Sequence, residues 1–314
     1  MTTDSRQLRA RAEAVLRTND RGRHTIPSGH LYPHQWAWDS GFAAIGWSLI
    51  DPDRALAEIE TLFAGQWDDG RIPHITFDPE AVDYFPGPDF WENPATSTIT
   101  NPPTWTMALR SIAGRGGDRA RIARLLPAVE RSHQFFSAAR DPLGWGGVTV
   151  AHPWESGRDN CPAWDEPMKA VDPDRAPPFR RVDRDKVEDA SQRPSDDDYK
   201  RYAVLVKATA ADGFGTGELA VYDPFMTAML IRADRDLAAL AAEHHVESAA
   251  SERIEAAEQC LRDRLWDSGL GRCRFFDVKA NRFHAPEVLA AYAPLLCADE
   301  MLAPGCVDAL TGAV

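Results

Sequence analysis

Two short stretches concentrate the residue types that handle protons and sugar hydroxyls. The first, Tyr32-Pro-His-Gln-Trp-Ala-Trp-Asp-Ser-Gly-Phe42, packs a Tyr, two Trp, a His and an Asp into eleven positions ahead of an apolar helical pattern. Asp39 and Ser40 each have a simple local use as helix N-caps, accepting the orphan amides of a first turn. A carboxylate flanked by aromatic planes has a second use: it accepts from two hydroxyls while a ring face stacks beside it, which suits a sugar. The second stretch, His152-Pro-Trp-Glu-Ser-Gly-Arg-Asp-Asn-Cys-Pro-Ala-Trp164, sets Glu155, Arg158 and Asp159 within five residues, between two Trp. Acidic residues in a solvated loop need no function. A carboxyl packed against tryptophan, however, is desolvated, keeps its proton to higher pH, and can donate it to the leaving oxygen of a glycoside.

Elements must bring these stretches together, and the periodicity predicts helices. Apolar residues recur at helical spacing over about 6–18, 41–50, 53–65, 103–114, 119–139, 217–242, 247–265 and 286–301. Asp51-Pro52, Gly114 with Gly116-Gly117, and Asp223-Pro224 supply breaks and starts. Strand-like alternation is scarce, so an all-α protein of paired antiparallel helices is expected. Two long stretches, 66–102 and 141–202, are read as non-helical. Within the second, Asp165 to Tyr199 holds 11 acidic and 7 basic residues and several prolines, a composition that does not fill a core. A mobile lid-like insertion over 165–202 within a single domain spanning 1–314 is the expectation.

Composition bounds the rest. The 35 Lys and Arg against 48 Asp and Glu leave a formal charge of −13, which argues against nucleic acid or an anionic membrane as partner. Mean hydropathy is −0.40 and no apolar run is long enough to span a bilayer. No secretory pattern is read at the N-terminus, so a cytoplasmic protein is expected. Five cysteines, Cys161, Cys260, Cys273, Cys297 and Cys306, show neither CxxC pairing nor zinc-ligand spacing; reduced thiols, no metal and no cofactor are expected. Nine of ten tryptophans fall in the first 164 residues, a concentration that serves core packing and sugar stacking equally.

Taken together, YPHQWAWDSGF and ESGRDNCPAW resemble the signatures of the inverting glycoside hydrolases of family 63 and the related trehalases. The further stretches Tyr84-Phe-Pro-Gly-Pro-Asp-Phe-Trp91, TSTITNPP and QRPSDDDYKRY, in the same order, are most similar to the bacterial glucosylglycerate and mannosylglycerate hydrolases. The resemblance implies an (α/α)6 barrel and cleavage of a small α-linked solute to hexose and glycerate, the small carbohydrate being the partner. It implies Asp159 as the general acid and Tyr32, Trp36, Asp39, Tyr84 and Trp154 as the walls of the sugar pocket. Arg193 and Tyr199 are implied at the acyl end of the substrate, where a guanidinium is the natural fork for a carboxylate. The position before Pro102-Pro103, commonly Gln in the glycerate-cleaving members, is Asn101 here, a shorter amide that Trp105 is expected to support by packing.

About eight helices are read where the barrel needs twelve, and the resemblance places the general base, a Glu, in a segment for which 1–314 offers no counterpart. Glu92, Glu218 and Glu287 are the spare carboxylates, the last two read as first-turn acids of helices 217–242 and 286–301. The expectation is a barrel incomplete at its C-terminal side, with uncovered apolar helix surface that a homo-oligomer or another chain would cover. A trehalase-like or α-glucosidase specificity, and a carbohydrate-binding remnant without turnover, are the alternative functions.

Overall fold

The computed structural model describes residues 3–81, 84–189, 191 and 193–312. Among these residues the fold is carried by helices α1 (Thr3–Asn19), α2 (Ala37–Ser48), α3 (Pro52–Phe63), α4 (Pro88–Trp91), α5 (Trp105–Ala113), α6 (Arg119–Ala139), α7 (Asp165–Met168), α8 (Asp196–Ala211), α9 (Pro224–His244), α10 (Ala250–Cys260), α11 (Ala293–Leu296) and α12 (Ala303–Thr311). Short strands stitch the connections: β1 (Gln35–Trp36), β2 (Ile75–Thr76), β3 (Thr149–Val150), β4 (Val221–Tyr222), β5 (Trp266–Asp267), β6 (Arg272–Cys273), β7 (Phe275–Asp277) and β8 (Arg282–His284).

The long helices start where the sequence signals them. Asp51 caps α3 by accepting from the amides of Asp53 and Arg54, with Pro52 at the first position, and Asp118 does the same for α6 from Ala120 and Arg121. Asp223 caps α9 through the Phe225 amide, again ahead of a proline. On α3, Ala55, Leu56, Ile59 and Leu62 fall on one stripe and are fully buried, each large side chain contributing about 1.5–3 kcal/mol of burial. That stripe faces Trp47 of α2 and Trp105, Leu109 and Ile112 of α5, and the same core continues into Ile122, Leu126 and Phe136 of α6 and Leu230, Leu237 and Leu240 of α9. Helix α2 packs on α3 and α5, and α9 on α5, α6 and α10, as expected of neighbouring hairpins.

The structure departs from the sequence expectations in four places. Helix α9 begins at Pro224, because Val221–Tyr222 is strand β4, not helix. The 286–301 stretch is a 3-10 turn at Leu289–Tyr292 followed by the single turn α11. Within the expected 165–202 insertion a full helix, α8, starts at Asp196 behind a reciprocal capping box between Ser195 and Asp198, and buries Tyr199, Tyr202, Leu205 and Val206. Ala190 and Gln192 of that insertion lie outside the described residues. Finally, the scarce strand signal hides a four-stranded antiparallel sheet in the order β3-β4-β7-β8. Its strands are two or three residues long, too short to show alternation.

The strands matter for placement. The β1–β2 pairing, Gln35 with Thr76 and Trp36 with Ile75, lays the first aromatic stretch beside His74. The β3–β4 pairing, Thr149 with Tyr222 and Val150 with Val221, sets the loop after Val150 next to the N-terminus of α9. The two stretches rich in chemistry are thereby held at one end of the helical core.

Candidate active site

A cavity of about 230 Å3 opens where these pieces meet, at the small end of ligand pockets. Its wall is aromatic. Tyr32 and Tyr84 stand edge-on to Trp36 with centroids 5.2 and 5.4 Å away, and Trp154 lies parallel to the His74 ring at 6.2 Å. Trp91, Ile75 and Ile99 are buried with Trp36 in one cluster behind this wall's cavity face, so it is fixed by core packing.

Asp39 and Asp159 are the two carboxylates among the described lining residues. Burial raises the Asp39 carboxyl to about 6, against the pull of its own backbone amide and the Trp38 indole. Burial raises Asp159 as well; the Asp183 charge adds to the rise, while the backbone amide and Arg193 oppose it. Asp159 is therefore a carboxyl in a cleft whose burial favours its protonated form.

The loop that carries Asp159 is locked from both sides. Glu155 is fully buried and accepts from Arg140 Nη2 at 2.7 Å and from the Ala151 amide at 2.9 Å. Arg140 is itself buried and donates onward to the carbonyls of Phe214 and Gly215. Losing one member of such a pair strands the other charge, so both are structural. Arg158 forms an ion pair with Asp223, the cap of α9, and its guanidinium lies 4.5 Å from the Phe225 ring centroid. Gly157 turns with φ +66°, and a Cβ there would meet the Trp38 ring at 2.6 Å, so only glycine fits between the loop and the wall. Tyr202 of α8 donates to the Asp159 carbonyl at 2.9 Å and fixes the backbone of the acid itself.

Arg193 donates from Nη1 to the Tyr32 hydroxyl of that wall at 3.2 Å and from Nε to Asp183 at 2.9 Å. Burial lifts the Tyr199 hydroxyl to about 12, so it stays a neutral donor. Asn101 donates from Nδ2 to the Trp154 carbonyl at 3.0 Å, and its buried Oδ1 has no protein partner. Among the described residues no group of three or more His, Cys, Asp or Glu is arranged to hold a metal ion.

The family model for the mannosylglycerate hydrolase MGH1-like glycoside hydrolase domain matches residues 32–306. The chain belongs to this glycoside hydrolase family. It is 38% identical over 301 residues to the mannosylglycerate hydrolase of Thermus thermophilus, covering 91% of this chain and 72% of that protein. To the glucosylglycerate hydrolase of Mycolicibacterium hassiacum it is 34% identical over 319 residues, covering 93% and 72%. The crystal structure of the family 63 mannosylglycerate hydrolase from Thermus thermophilus, in complex with Tris and D-glycerate, superposes with a TM-score of 0.89 at 37% identity. That match covers 96% of this chain and 76% of the solved one. The architecture is thus the six-hairpin glycosidase fold that the motifs imply.

The MGH1-like fold brings Tyr32, Trp36, Asp39, Tyr84, Asn101, Trp154, Asp159, Arg193 and Tyr199 to one cavity, every site residue read from the sequence. Other readings need correction. Asp39 is not an N-cap: Trp36 holds that position, Asp39 sits in the first turn of α2, and Ser40 hydrogen-bonds buried Glu58 at 2.6 Å. Trp105 does not support the pocket; it is wholly buried in the core with its indole on Ser132. Glu218 and Glu287 are not helix first-turn acids: Glu218 precedes β4 and pairs with Arg175, and Glu287 lies 3.8 Å from Arg272 in an irregular stretch. Glu92 pairs with Lys207. None of the three lines the cavity.

Sequence reasoning missed His74, Gly157 and Tyr202. His74 sits in a stretch read only as irregular, yet it is buried against Trp154 with Nδ1 2.6 Å from Ser97 Oγ. Burial holds its imidazole well below the usual range, hence neutral. The signal that would have found it is the two-residue β1–β2 ladder, which no periodicity count detects. All five cysteines are free, and four are buried. Among the described residues no helix is long and apolar enough to cross a membrane.

Proposed function

We propose that this chain is an inverting glycoside hydrolase acting on glucosylglycerate or mannosylglycerate, with Asp159 as the general acid. The observation that carries the reading is the cavity's lining, which joins aromatic faces and carboxylates to one guanidinium. A hexose faces Trp36, Tyr84, Trp154 and the Asp39 carboxylate, which accepts from its hydroxyls. A glycerate carboxylate faces the Arg193 guanidinium and the Tyr199 hydroxyl. Asp159 lines the same cavity, and burial favours its protonated form, from which it delivers its proton to the glycosidic oxygen as the bond breaks. Asn101 offers its unpartnered Oδ1 to a substrate hydroxyl.

Inversion also requires a second carboxylate roughly 6.5–9.5 Å from the acid, activating water on the other face of the sugar. Asp39 is the only other carboxylate among the described lining residues. That observation favours one second reading, a chain that binds hexose and glycerate without turnover. Proton NMR of residues 1–314 with glucosylglycerate separates the two. Release of β-hexose first, lost in Asp159→Asn, supports hydrolysis; binding by calorimetry with no release supports the second reading. Substitution Arg193→Ala tests the glycerate end: it should weaken D-glycerate binding and leave glucose binding alone, whereas a trehalase-like specificity would show no such split.

A further inference from the structure

We infer that Asp183 is the positioning residue of the cavity's acyl end, holding Arg181 and Arg193 around Tyr199 so that one guanidinium is presented to an anionic substrate group. The inference rests on the glycerate reading above and deepens it.

Asp183 is buried and receives three hydrogen bonds from two arginines. Arg181 donates to Oδ1 from Nε at 3.0 Å and to Oδ2 from Nη2 at 2.8 Å, a fork-on-carboxylate pair. Arg193 donates to Oδ2 from Nε at 2.9 Å. Arg181 lies with its guanidinium 3.9 Å from the Tyr199 ring centroid and donates from Nη1 to the Pro194 carbonyl at 2.7 Å, next to Arg193 in the chain. The Arg181 side chain is 7% exposed and that of Asp183 10%, so this is not a screened surface pair.

The geometry assigns different tasks to the two cations. Arg181 is consumed by Asp183, Asp196 and Pro194 and serves as scaffold beneath Tyr199. Arg193, which lines the cavity, has Nε on Asp183 and Nη1 on Tyr32, which fixes the plane of its guanidinium and leaves Nη2 committed to neither. Without Asp183 the two guanidinium groups would repel across a poorly solvated gap, and Arg193 would lose the contact that aims it. With Asp183 in place the trio carries one net positive charge, matched to a single carboxylate. The shared Oδ2 makes the two arginines respond to the same substitution.

The test is Asp183→Asn, which keeps the size and removes the charge. Calorimetry with D-glycerate should show affinity reduced about tenfold, the loss of one charge-assisted contact, while glucose affinity stays within about twofold. In hydrolysis KM for glucosylglycerate should rise while KM for glucosylglycerol, which lacks the carboxylate, stays unchanged. Should Asp183→Asn destabilise the fold, Asp183→Glu keeps the charge but displaces it, and should give a smaller loss confined to D-glycerate. Equal losses for D-glycerate and glucose, or none for either, would overturn the inference. Loss in Arg193→Ala without loss in either Asp183 variant overturns the positioning role alone. No loss in Arg193→Ala overturns the glycerate reading on which it rests.

Discussion

Two groups of residues that line the cavity and meet at Tyr32 are built by different physics. The Trp36 group is a product of the core: Trp36, Ile75, Phe77, Trp91 and Ile99 are buried together, and Tyr32 and Tyr84 meet Trp36 edge-on. The Arg193 group is a product of charge: Asp183, Arg181 and Arg193 are joined across short irregular segments and rest on one helix, α8. Burial is proportional to area and indifferent to salt, whereas capture of a charged ligand from solution weakens as salt screens it. A rigid apolar wall suits a hexose whose shape is fixed, and a charged clamp suits a small flexible acid whose strongest feature is its carboxylate.

Four outcomes break or sharpen that contrast. The largest belongs to Asp159, which lines the same cavity. Replacing Asp159 by Asn removes the proton donor and should lower hydrolysis about 10²–10⁴-fold with both ligands still bound, measured by hexose release beside calorimetry. Next is the wall: Trp36→Ala should destabilise the fold by about 3–5 kcal/mol in denaturant titration and remove glucose binding, since a buried indole leaves a cavity behind. An effect on D-glycerate as large as that on glucose would deny that the two groups are separately built.

A smaller effect comes from ionic strength. Raising salt from about 0.05 to 0.5 M shortens the screening length several-fold, so D-glycerate binding should weaken a few-fold while glucose binding holds. The smallest is a pH effect at Asp39. Its folded value near 6 lies above the ordinary 3.8, so protonation favours the folded chain: this contribution is complete below about pH 4 and lost as pH rises through about 6. Binding runs the other way, because the charged carboxylate is the better acceptor. Glucose affinity should fall as pH drops from 7.5 to 5, and Asp39→Asn should flatten that dependence. For the acid, whose carboxyl is also raised, activity should decline as pH climbs through its titration, since only the protonated form donates.

Legibility in the sequence followed the same divide. The long helices α3, α5 and α6 were readable because caps such as Asp51 and Asp118 and the stripe of Leu56, Ile59 and Leu62 act locally. The site residues were readable because their motifs resemble those of a glycoside hydrolase family, and the Tyr32–Phe42 stretch is besides too polar for plain core. Helix α8 was hidden by its own charge, three aspartates in its first turn reading as a solvated loop, although Ser195 with Asp198 is a capping box in plain view. The partners that lock the acid loop were illegible for a different reason. Arg158 meets Asp223 only after β3 pairs with β4, a contact between residues some seventy positions apart, and Arg140 meets Glu155 only once the chain leaving α6 turns back on itself through Thr149. Asp183 likewise gains its meaning only when Arg181 and Arg193 fold around Tyr199.

The most direct test follows the anomeric protons of the hexose released from glucosylglycerate by residues 1–314 in real time. The expected result is β-glucose appearing first and mutarotating to the equilibrium mixture, with no release from Asp159→Asn under the same conditions. Appearance of α-glucose first, release that persists in Asp159→Asn, or no release from the parent chain would contradict an inverting glycosidase that uses Asp159 as its acid.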